Sequence, residues 1–416
     1  MKLDVTPETP VMDTPLRIRL DGLVPRGAVT LTATCDLADR SWASSAVFMA
    51  AADGSVDLTR DAPLTGSYSS VDPMGLIWSM ASAGPAAGDK RLRLTATVDS
   101  GQSAETYVDR LGRPPGIARE AVEAGGLVGV FCYPESGPPR PGIILIGGAE
   151  GGLHEPDAAL LAAHGFSVLA LAYFGAPGLP SGLVRVPLEY FGTAIDWLLA
   201  HDRVSGTQVG ITGGSRGGEA ALLVGSTFEQ IAAVVCLVGS GVLTQGIPYD
   251  RGHLLDILRA QEPSWTWHGT PLPYLPYVIP AELERLVAAG EPVELRLAFP
   301  TADPDLLARH AIEVERIRGP VLMQSAEQDA GWDSVTLCEV AMARLDRSGH
   351  PWPYEHVVYP GAGHAIAPPP YGPTTAMSGP GPGVSFAAGG SPAATAAARE
   401  AQWRRAVAFF TEHLGA

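Results

Sequence analysis

A serine flanked by glycines, with a strand-like apolar run before it and small residues after it, most constrains the fold of this chain. Residues 213–217 read Gly-Gly-Ser-Arg-Gly, a G-x-S-x-G pattern. Apolar residues precede it at 209–211, and small or apolar residues predominate after it at 218–223. Strand, sharp turn and helix in this order predict a nucleophile elbow. Because the chain contains 49 glycines, such strings also arise by chance, and the rest of the sequence has to decide.

A serine nucleophile needs a base to take its proton and an acid to orient that base. The run at 319–326 is typical of a buried strand and leads to Asp329, while the alternating run at 354–359 leads through glycines to His364. We therefore predict a triad of Ser215, Asp329 and His364. The order serine, aspartate, histidine along the chain is that of α/β-hydrolases.

Other residues compete for the acid and base roles. Glu327 and Asp333 lie within one loop of the same strand end as Asp329, although Asp333 also suits the start of a helix. His350 precedes a proline in a linker and is predicted to be a surface residue. A glycine-loop setting is also lacking at four further histidines, which are His154, His164, His310 and His356.

An oxyanion hole requires backbone N–H groups beside the serine. The residue after the nucleophile, Arg216, is predicted to supply one of them. The second is predicted in the glycine-rich loop 147–153, which follows a strand-like apolar run. The sequence leaves open whether Ala149, Glu150 or Gly151 directs its amide inward.

The order of predicted elements indicates two domains. Short alternating runs separated by Gly, Pro and Asp turns predict an antiparallel β-sandwich over residues 1–112. Alternating strands and helices predict an α/β-hydrolase domain with a mostly parallel sheet over 113–416. A Pro- and Trp-containing stretch at about 242–318 is interpreted as a cap-like insertion. Residues 367–398, rich in Pro, Gly, Ala and Ser, predict a long coil before a final helix over 400–414.

Composition limits the classes of function. The 416 residues are 46% hydrophobic and 17% charged, which suits a globular protein with sizeable cores. A formal net charge of −16 argues against a general nucleic-acid binder. The four cysteines lack C-x-x-C spacing and no His and Cys cluster has zinc spacing, so we expect no metal or other cofactor. The N-terminus lacks a signal-peptide pattern and the apolar runs are too short to span a bilayer, so we expect a cytoplasmic location.

Several unusual strings resemble the acyl-CoA thioesterase and bile acid-CoA:amino acid N-acyltransferase family, the type I acyl-CoA thioesterases. They include residues 71–80, 141–153, 169–174 and 359–364 together with the Ser215 elbow, and the resemblance extends over nearly the whole chain. It implies an N-terminal β-sandwich followed by an α/β-hydrolase domain, a Ser/Asp/His triad and an acyl-CoA or related thioester as substrate.

The amino-acid-conjugating branch of this family has a cysteine nucleophile, whereas this chain has Ser215. The resemblance therefore implies hydrolysis of acyl-CoA to free acid and CoA through a Ser215 acyl-enzyme. Acyl transfer to an amine or alcohol, or ester hydrolysis on the same fold, stays as the alternative. Because CoA is polyanionic and the chain is acidic, a local basic cluster is expected, with Arg185, Arg216 and the Arg251 region as candidates. The acyl chain and the oligomeric state stay open.

Overall fold

The structure is a computed structural model that describes residues 1–37, 39–86 and 88–415. These residues divide into two compact units. The first unit comprises Met1–Arg113, Pro369–Met377 and Ser391–Glu400, and the second comprises Pro114–Pro368, Ser378–Gly390 and residues 401–415.

Within the described residues, the first unit is built from antiparallel strands, one short helix and the beginning of a long helix whose larger part belongs to the second unit. Its elements are β1 (Lys2–Thr6), β2 (Arg17–Asp21), β3 (Ala28–Leu37), β4 (Arg40–Met49), β5 (Val56–Asp57), β6 (Thr65–Gly66), α1 (Gly75–Trp78), β7 (Ala81–Pro85), β8 (Leu92–Val98) and β9 (Ser103–Val108).

Two antiparallel sheets share one core in this unit. Among the described residues, β1, β2 and β5 form a three-stranded sheet, and β3, β4, β6, β7, β8 and β9 form a six-stranded one. Burial alternates along β8, as expected for a strand with one face inward. Ile18 and Leu20 of the small sheet pack in the same cluster as Leu31 and Phe48 of the large sheet. The predicted antiparallel sandwich is thereby confirmed.

Two stretches late in the chain cluster with this unit, whereas the sequence prediction placed every residue after 112 in the second domain. Tyr371 is buried in the core of the first unit. The Thr374 N–H donates to the Trp78 carbonyl over 3.0 Å, and Ala396 packs against the same core. Burial of these side chains, which sequence spacing does not reveal, explains the difference.

The second unit contains the remaining elements. Its strands are β10 (Ile117–Val122), β11 (Val128–Pro134), β12 (Arg140–Ile146), β13 (Ser167–Ala172), β14 (Val186–Pro187), β15 (Val204–Gly214), β16 (Ile231–Leu237), β17 (Trp265–Trp267), β18 (Thr270–Pro271), β19 (Val321–Ala326), β20 (Tyr354–Tyr359), β21 (Ser378–Gly381) and β22 (Val384–Ala387). Its helices are α2 (Glu155–Ala163), α3 (Glu189–Ala200), α4 (Arg216–Thr227), α5 (Leu254–Arg259), α6 (Ala281–Ala289), α7 (Pro304–Arg309) and α8 (Ser334–Ser348), together with the larger part of α9 (Pro392–Leu414).

A sheet of eight strands within the described chain organises this unit, in the order β10-β11-β13-β12-β15-β16-β19-β20. Strand β11 runs antiparallel to both neighbours, and the pairs from β13 through β20 are parallel. Strand β16 is wholly apolar, β12 is apolar after Arg140, and all residues of β19 are buried, as expected for strands covered on both faces. The α/β-hydrolase fold predicted from the sequence is confirmed. Parallel strands bring the loops after β12, β15, β19 and β20 to one edge of the sheet.

Within residues 367–398, a hairpin and the start of a helix replace part of the predicted coil, while 367–377 lie outside any helix or strand. Strands β21 and β22 pair antiparallel, and the turn between them contains Gly383 at φ +72°, which glycine adopts without strain. The alanine-rich stretch 393–398 favours helix, so α9 begins at Pro392 rather than at residue 400. Within the described residues, no helix combines the length and apolar character needed to cross a membrane.

Candidate active site

Ser215 lies on a strained turn between β15 and α4. Its backbone has φ 54° and ψ −120°, a combination that costs a non-glycine residue about 1–3 kcal/mol. The Ser215 N–H donates to the Leu237 carbonyl over 2.8 Å, which helps to hold the turn. A Cβ at Gly217 would lie 2.5 Å from the Gly147 carbonyl oxygen, so the close approach of α4 to the loop after β12 requires glycine. The structure therefore has the elbow that the pentapeptide predicted.

His364 connects Ser215 to Asp329. The distance from His364 Nε2 to Ser215 Oγ is 3.0 Å, and His364 Nδ1 lies 2.8 and 2.9 Å from the two Asp329 carboxylate oxygens. Because Nδ1–H donates to the carboxylate, Nε2 is left to accept the serine hydroxyl proton. The structure thus joins the three predicted residues in one hydrogen-bonded chain.

The carboxylate of Asp329 is fixed by backbone groups. Its side chain is 1% exposed, and Oδ1 accepts the N–H of Gly331 (2.9 Å) and of Trp332 (3.2 Å). A Cβ at Gly331 would lie 2.7 Å from the His364 ring, so glycine lets the imidazole approach the carboxylate. The acid is therefore held in place independently of the histidine.

The residues around His364 set its basicity. Burial disfavours the imidazolium, but the charge and hydrogen bond of Asp329 outweigh burial, and the pKa of His364 is raised above its ordinary value of 6.5. The Glu150 carboxylate acts in the same direction with a smaller effect. A histidine placed in this way can take a proton from serine and hold it while the reaction proceeds.

The competing acids have other partners. Glu327 accepts the Gly361 N–H over 2.8 Å. Asp333 is the N-cap of α8, where its carboxylate accepts the Thr336 N–H over 3.0 Å. Helix capping satisfies one of the free N–H groups of a first turn. Of the three candidate acids, Asp329 is the one that hydrogen-bonds His364.

His350 is buried rather than on the surface, and the sequence prediction for it is wrong. It is 8% exposed, and its Nε2 lies 3.1 Å from the Gly319 carbonyl oxygen. The ring packs against Trp352 and Tyr354 at centroid distances of 5.2 and 5.8 Å. These aromatic contacts, and not the adjacent proline, determine its burial.

The glycine-rich loop leaves few amides free. The Gly151 N–H donates to the Gly148 carbonyl over 3.2 Å, and the Gly148 N–H donates to Glu150 Oε1 over 2.9 Å. In the part of the chain that the structure describes, the N–H groups of Ala149 and Arg216 have no acceptor. The Arg216 amide is free because it belongs to the first turn of α4.

The Arg216 side chain is not available for phosphate groups. It is buried, forms an ion pair with Glu219 at 3.2 Å and donates to the Thr244 carbonyl and the Ser264 hydroxyl. Glu219 also accepts from Thr244 Oγ1 (2.6 Å) and Trp265 Nε1 (2.9 Å). This network ties α4 to the stretch predicted as a cap. Of the three candidates that the sequence left open for a phosphate-binding cluster, Arg216 is unsuited, because desolvated polar groups of the protein already surround its guanidinium.

Two cavities meet at the serine and histidine. The nucleophile cavity has a volume of about 660 Å³ and is lined by Ser215 and by aromatic side chains that include Tyr277, Phe299 and Phe386. The helix crevice, about 240 Å³, is lined by residues of α2 and α9, Trp403 among them. Mostly apolar walls with a few polar groups beside a reactive serine are typical of a small-molecule site.

Sequence reasoning missed the backbone support of the histidine. The His364 N–H donates to the Ala388 carbonyl over 2.8 Å, and Asp329 pairs with Gly389 in an isolated β-bridge. Both partners directly follow β22, inside the stretch interpreted as coil. The glycine pair 389–390 was the available signal, since both residues have positive φ.

A serine on a strained strand-to-helix turn, at the edge of this sheet and hydrogen-bonded through histidine to aspartate, places the chain in the class of α/β-hydrolase enzymes. Residues 13–124 match the acyl-CoA thioester hydrolase/BAAT N-terminal region, and residues 186–416 match the BAAT / acyl-CoA thioester hydrolase C terminal. The chain belongs to the acyl-CoA thioester hydrolase/BAAT family, which confirms the resemblance seen in its sequence.

Two relatives illustrate the family. Mouse acyl-coenzyme A amino acid N-acyltransferase 1 is 33% identical over 436 residues, covering 100% of this chain and 98% of the relative. Human acyl-coenzyme A thioesterase 1 is 32% identical over 419 residues, covering 97% of this chain and 94% of the relative. Among solved structures, a dienelactone hydrolase-like promiscuous phosphotriesterase from metagenomic libraries has 18% identity and a TM-score of 0.41, covering 72% of this chain and 98% of that one.

Proposed function

We propose that this chain hydrolyses acyl-CoA thioesters to free acid and CoA through an acyl-enzyme on Ser215. The observation that carries the proposal is the hydrogen-bonded chain from Ser215 Oγ through His364 to Asp329. Relatives of this chain include proteins named acyl-coenzyme A thioesterases, and this supports acyl-CoA as the substrate.

In the proposed reaction, His364 Nε2 takes the hydroxyl proton as Ser215 Oγ attacks the thioester carbonyl. The carbon–sulfur bond then breaks, CoA leaves as a thiolate, which needs little assistance because thiols are acidic, and the protonated His364 gives its proton to that thiolate or to solvent. The neutral imidazole then takes a proton from water, the water oxygen attacks the oxygen ester, and His364 returns the proton to Ser215 Oγ as the acid leaves. Asp329 accepts the Nδ1–H throughout and so keeps the imidazole in the productive tautomer.

The N–H groups of Arg216 and Ala149 are the proposed oxyanion donors. Both residues line the nucleophile cavity together with Ser215, and both amides lack an acceptor among the described residues. Gly151 is the weakest of the three loop candidates, because its N–H already donates to the Gly148 carbonyl. Two such donors stabilise the charge that develops on the carbonyl oxygen in the transition state.

The test is thiol release from a panel of acyl-CoA thioesters of increasing chain length, without any amine. We expect release by the native protein and its loss in Ser215→Ala. Ser226→Ala is the matched control, since Ser226 lies in α4, the helix that follows Ser215, and its hydroxyl donates to the Leu223 carbonyl. Undiminished release by folded Ser215→Ala would exclude the proposed nucleophile.

Acyl transfer to an amine is the second candidate, because relatives 33% identical to this chain are named acyl-coenzyme A amino acid N-acyltransferases. Mass spectrometry of the product, with and without an added amine, separates the two activities. A free acid that forms equally in both conditions supports hydrolysis, whereas a product that requires the amine supports transfer. Cleavage of p-nitrophenyl esters far in excess of acyl-CoA would instead indicate an esterase.

A further inference from the structure

Three charged side chains form a row beside the loop that follows β12. His154 Nε2 lies 2.9 Å from Glu150 Oε1, and His154 Nδ1 lies 3.6 Å from Asp157 Oδ2. Asp157 belongs to the first turn of α2, and all three residues line the helix crevice. The reaction proposed above gives none of them a role.

Two glycines allow this row to lie directly against the nucleophile. A Cβ at Gly147 would lie 2.4 Å from His154 Nε2, so the imidazole packs on the loop backbone. A Cβ at Gly148 would lie 2.8 Å from the Glu150 carboxylate and 3.3 Å from Ser215 Cβ. The carboxylate and the nucleophile are therefore close neighbours on either side of one glycine.

The Glu150 carboxylate determines which loop amide stays free. It accepts the Gly148 N–H over 2.9 Å and is also hydrogen-bonded by its own N–H. The Gly151 N–H is used within the turn. On the opposite side, the Tyr249 hydroxyl donates to the Ala149 carbonyl over 2.5 Å. These bonds fix both peptide groups that flank Ala149, while its own N–H has no acceptor among the residues that the structure describes.

His154 is a cation at neutral pH. The carboxylates of Asp157 and Glu150 raise the pKa of His154 to about 10, against a smaller opposing effect of burial. Burial raises the pKa of Glu150, but the His154 hydrogen bond and the amides outweigh it and the net shift is downward. The other titratable groups that face this row are His364, Tyr173 and Tyr249.

We propose that Glu150 and His154 form a clasp that directs the Ala149 N–H toward the oxyanion, an inference that rests on the hydrolysis proposed above. Both are positioning residues, because they act through the loop backbone and not on the substrate. Asp157 supports the clasp by holding the second nitrogen of His154.

The clasp also compensates the negative charge of the Glu150 carboxylate beside Ser215. A carboxylate next to the serine would repel the negative charge that develops on the carbonyl oxygen. The imidazolium of His154 compensates that charge at 2.9 Å while the Gly148 N–H takes up one of its oxygens. The loop therefore gains a rigid anchor without leaving an unpaired anion at the reacting centre.

The first test compares steady-state kinetics of His154→Gln and Glu150→Gln with the native enzyme on one acyl-CoA. Removal of a whole oxyanion donor costs about 10²–10³ in kcat, so we expect a looser donor to cost about 10- to 100-fold. KM should change by no more than about twofold, because the donor acts on the transition state. Glu155→Gln is the matched control, since Glu155 is the neighbouring carboxylate and pairs with Arg119 instead.

The second test uses pH. The clasp is intact below the pKa of His154 and is lost as pH rises through about 10, so kcat of the native enzyme should fall there. Asp157→Asn removes the partner with the largest effect on that pKa, and the fall in kcat should move to lower pH. A purely structural role of Asp157 would leave the position of this limb unchanged.

The outcomes separate this inference from the proposed function. If folded Ser215→Ala still releases CoA, the hydrolysis mechanism itself fails. If Ser215→Ala is inactive while folded His154→Gln and Glu150→Gln keep native kcat, the clasp is overturned and the mechanism stands. Should His154→Gln not fold, as judged by circular dichroism, the pH profile of Asp157→Asn decides, and an unshifted alkaline limb overturns the clasp.

Discussion

Two histidines line the same crevice and differ in what they can do with a proton. His364 contacts one carboxylate, that of Asp329, and its second nitrogen faces the Ser215 hydroxyl. His154 lies between two carboxylates, and neither nitrogen faces a group that could give up a proton. Carboxylates raise the pKa of both, to about 10 for His154. One imidazole is therefore poised to exchange a proton, while the other is a fixed cation.

The largest expected effect on kcat is at His364, the histidine that exchanges a proton. His364→Gln removes the proposed base, and we expect kcat to fall by roughly 10⁴-fold or more. The same replacement at His154 is expected to cost at most about 100-fold. Steady-state thiol release by both purified variants checks this. Equal losses of kcat in His364→Gln and His154→Gln would contradict the assignment of different roles to the two histidines.

A second prediction concerns the acid. Asp329→Asn is expected to lower kcat by about 10²- to 10⁴-fold, because the amide no longer stabilises the imidazolium or selects its tautomer. The residual activity should show its acid limb at lower pH than the native enzyme, since the carboxylate that raises the pKa of His364 is gone. The measurement is kcat/KM against pH for both proteins. If the acid limb of Asp329→Asn stays at the native pH, a group other than His364 controls it.

The dependence of kcat/KM on pH in the native enzyme reports the protonation of His364. His364 must be neutral to accept the serine proton, so activity is present above its pKa and is lost as pH falls through it. Because that pKa is raised, the midpoint of the acid limb in kcat/KM is expected above 6.5, with a decline of roughly tenfold per pH unit below it. A midpoint below 6.5 would show that burial, and not Asp329, dominates at His364.

The smallest effect tests the link between the two histidines. Glu150 raises the pKa of His364 less than Asp329 does, so Glu150→Gln should move the acid limb to lower pH by less than Asp329→Asn. Glu155→Gln should leave the limb in place, because Glu155 pairs with Arg119. Profiles recorded at one ionic strength provide the comparison.

The sequence predicted those parts of the site whose signals are local. Ser215, Asp329 and His364 each follow a strand-like run and lie in a short loop, and parallel strands bring such loops to the same edge. The fold class was predictable for the same reason. Their catalytic roles stay predictions until variants are assayed, although the three side chains lie within hydrogen-bonding distance.

The parts that were not predicted depend on contacts between distant or irregular segments. His154 lacks a glycine-loop setting in the sequence, yet it contacts Glu150 across the junction of a loop and α2. The β21–β22 hairpin was not predicted because Pro and Gly are frequent in this stretch and mask the strand pattern. The burial of Tyr371 in the first unit likewise has no periodic signal in the sequence. Periodicity reports which face of an element is apolar, and it carries no information on which remote segment will cover that face.

The hydrogen bond from the His364 N–H to the Ala388 carbonyl has a consequence for biosynthesis. A ribosome adds Ser215, Asp329 and His364 before it reaches Ala388, so a growing chain contains every reactive group before it contains the acceptor that anchors the imidazole-bearing loop. Translation must pass the second strand of the hairpin before that loop can settle. The loop that carries His364 can therefore take up its hydrogen-bonded position only after the residues through Ala388 have been synthesised.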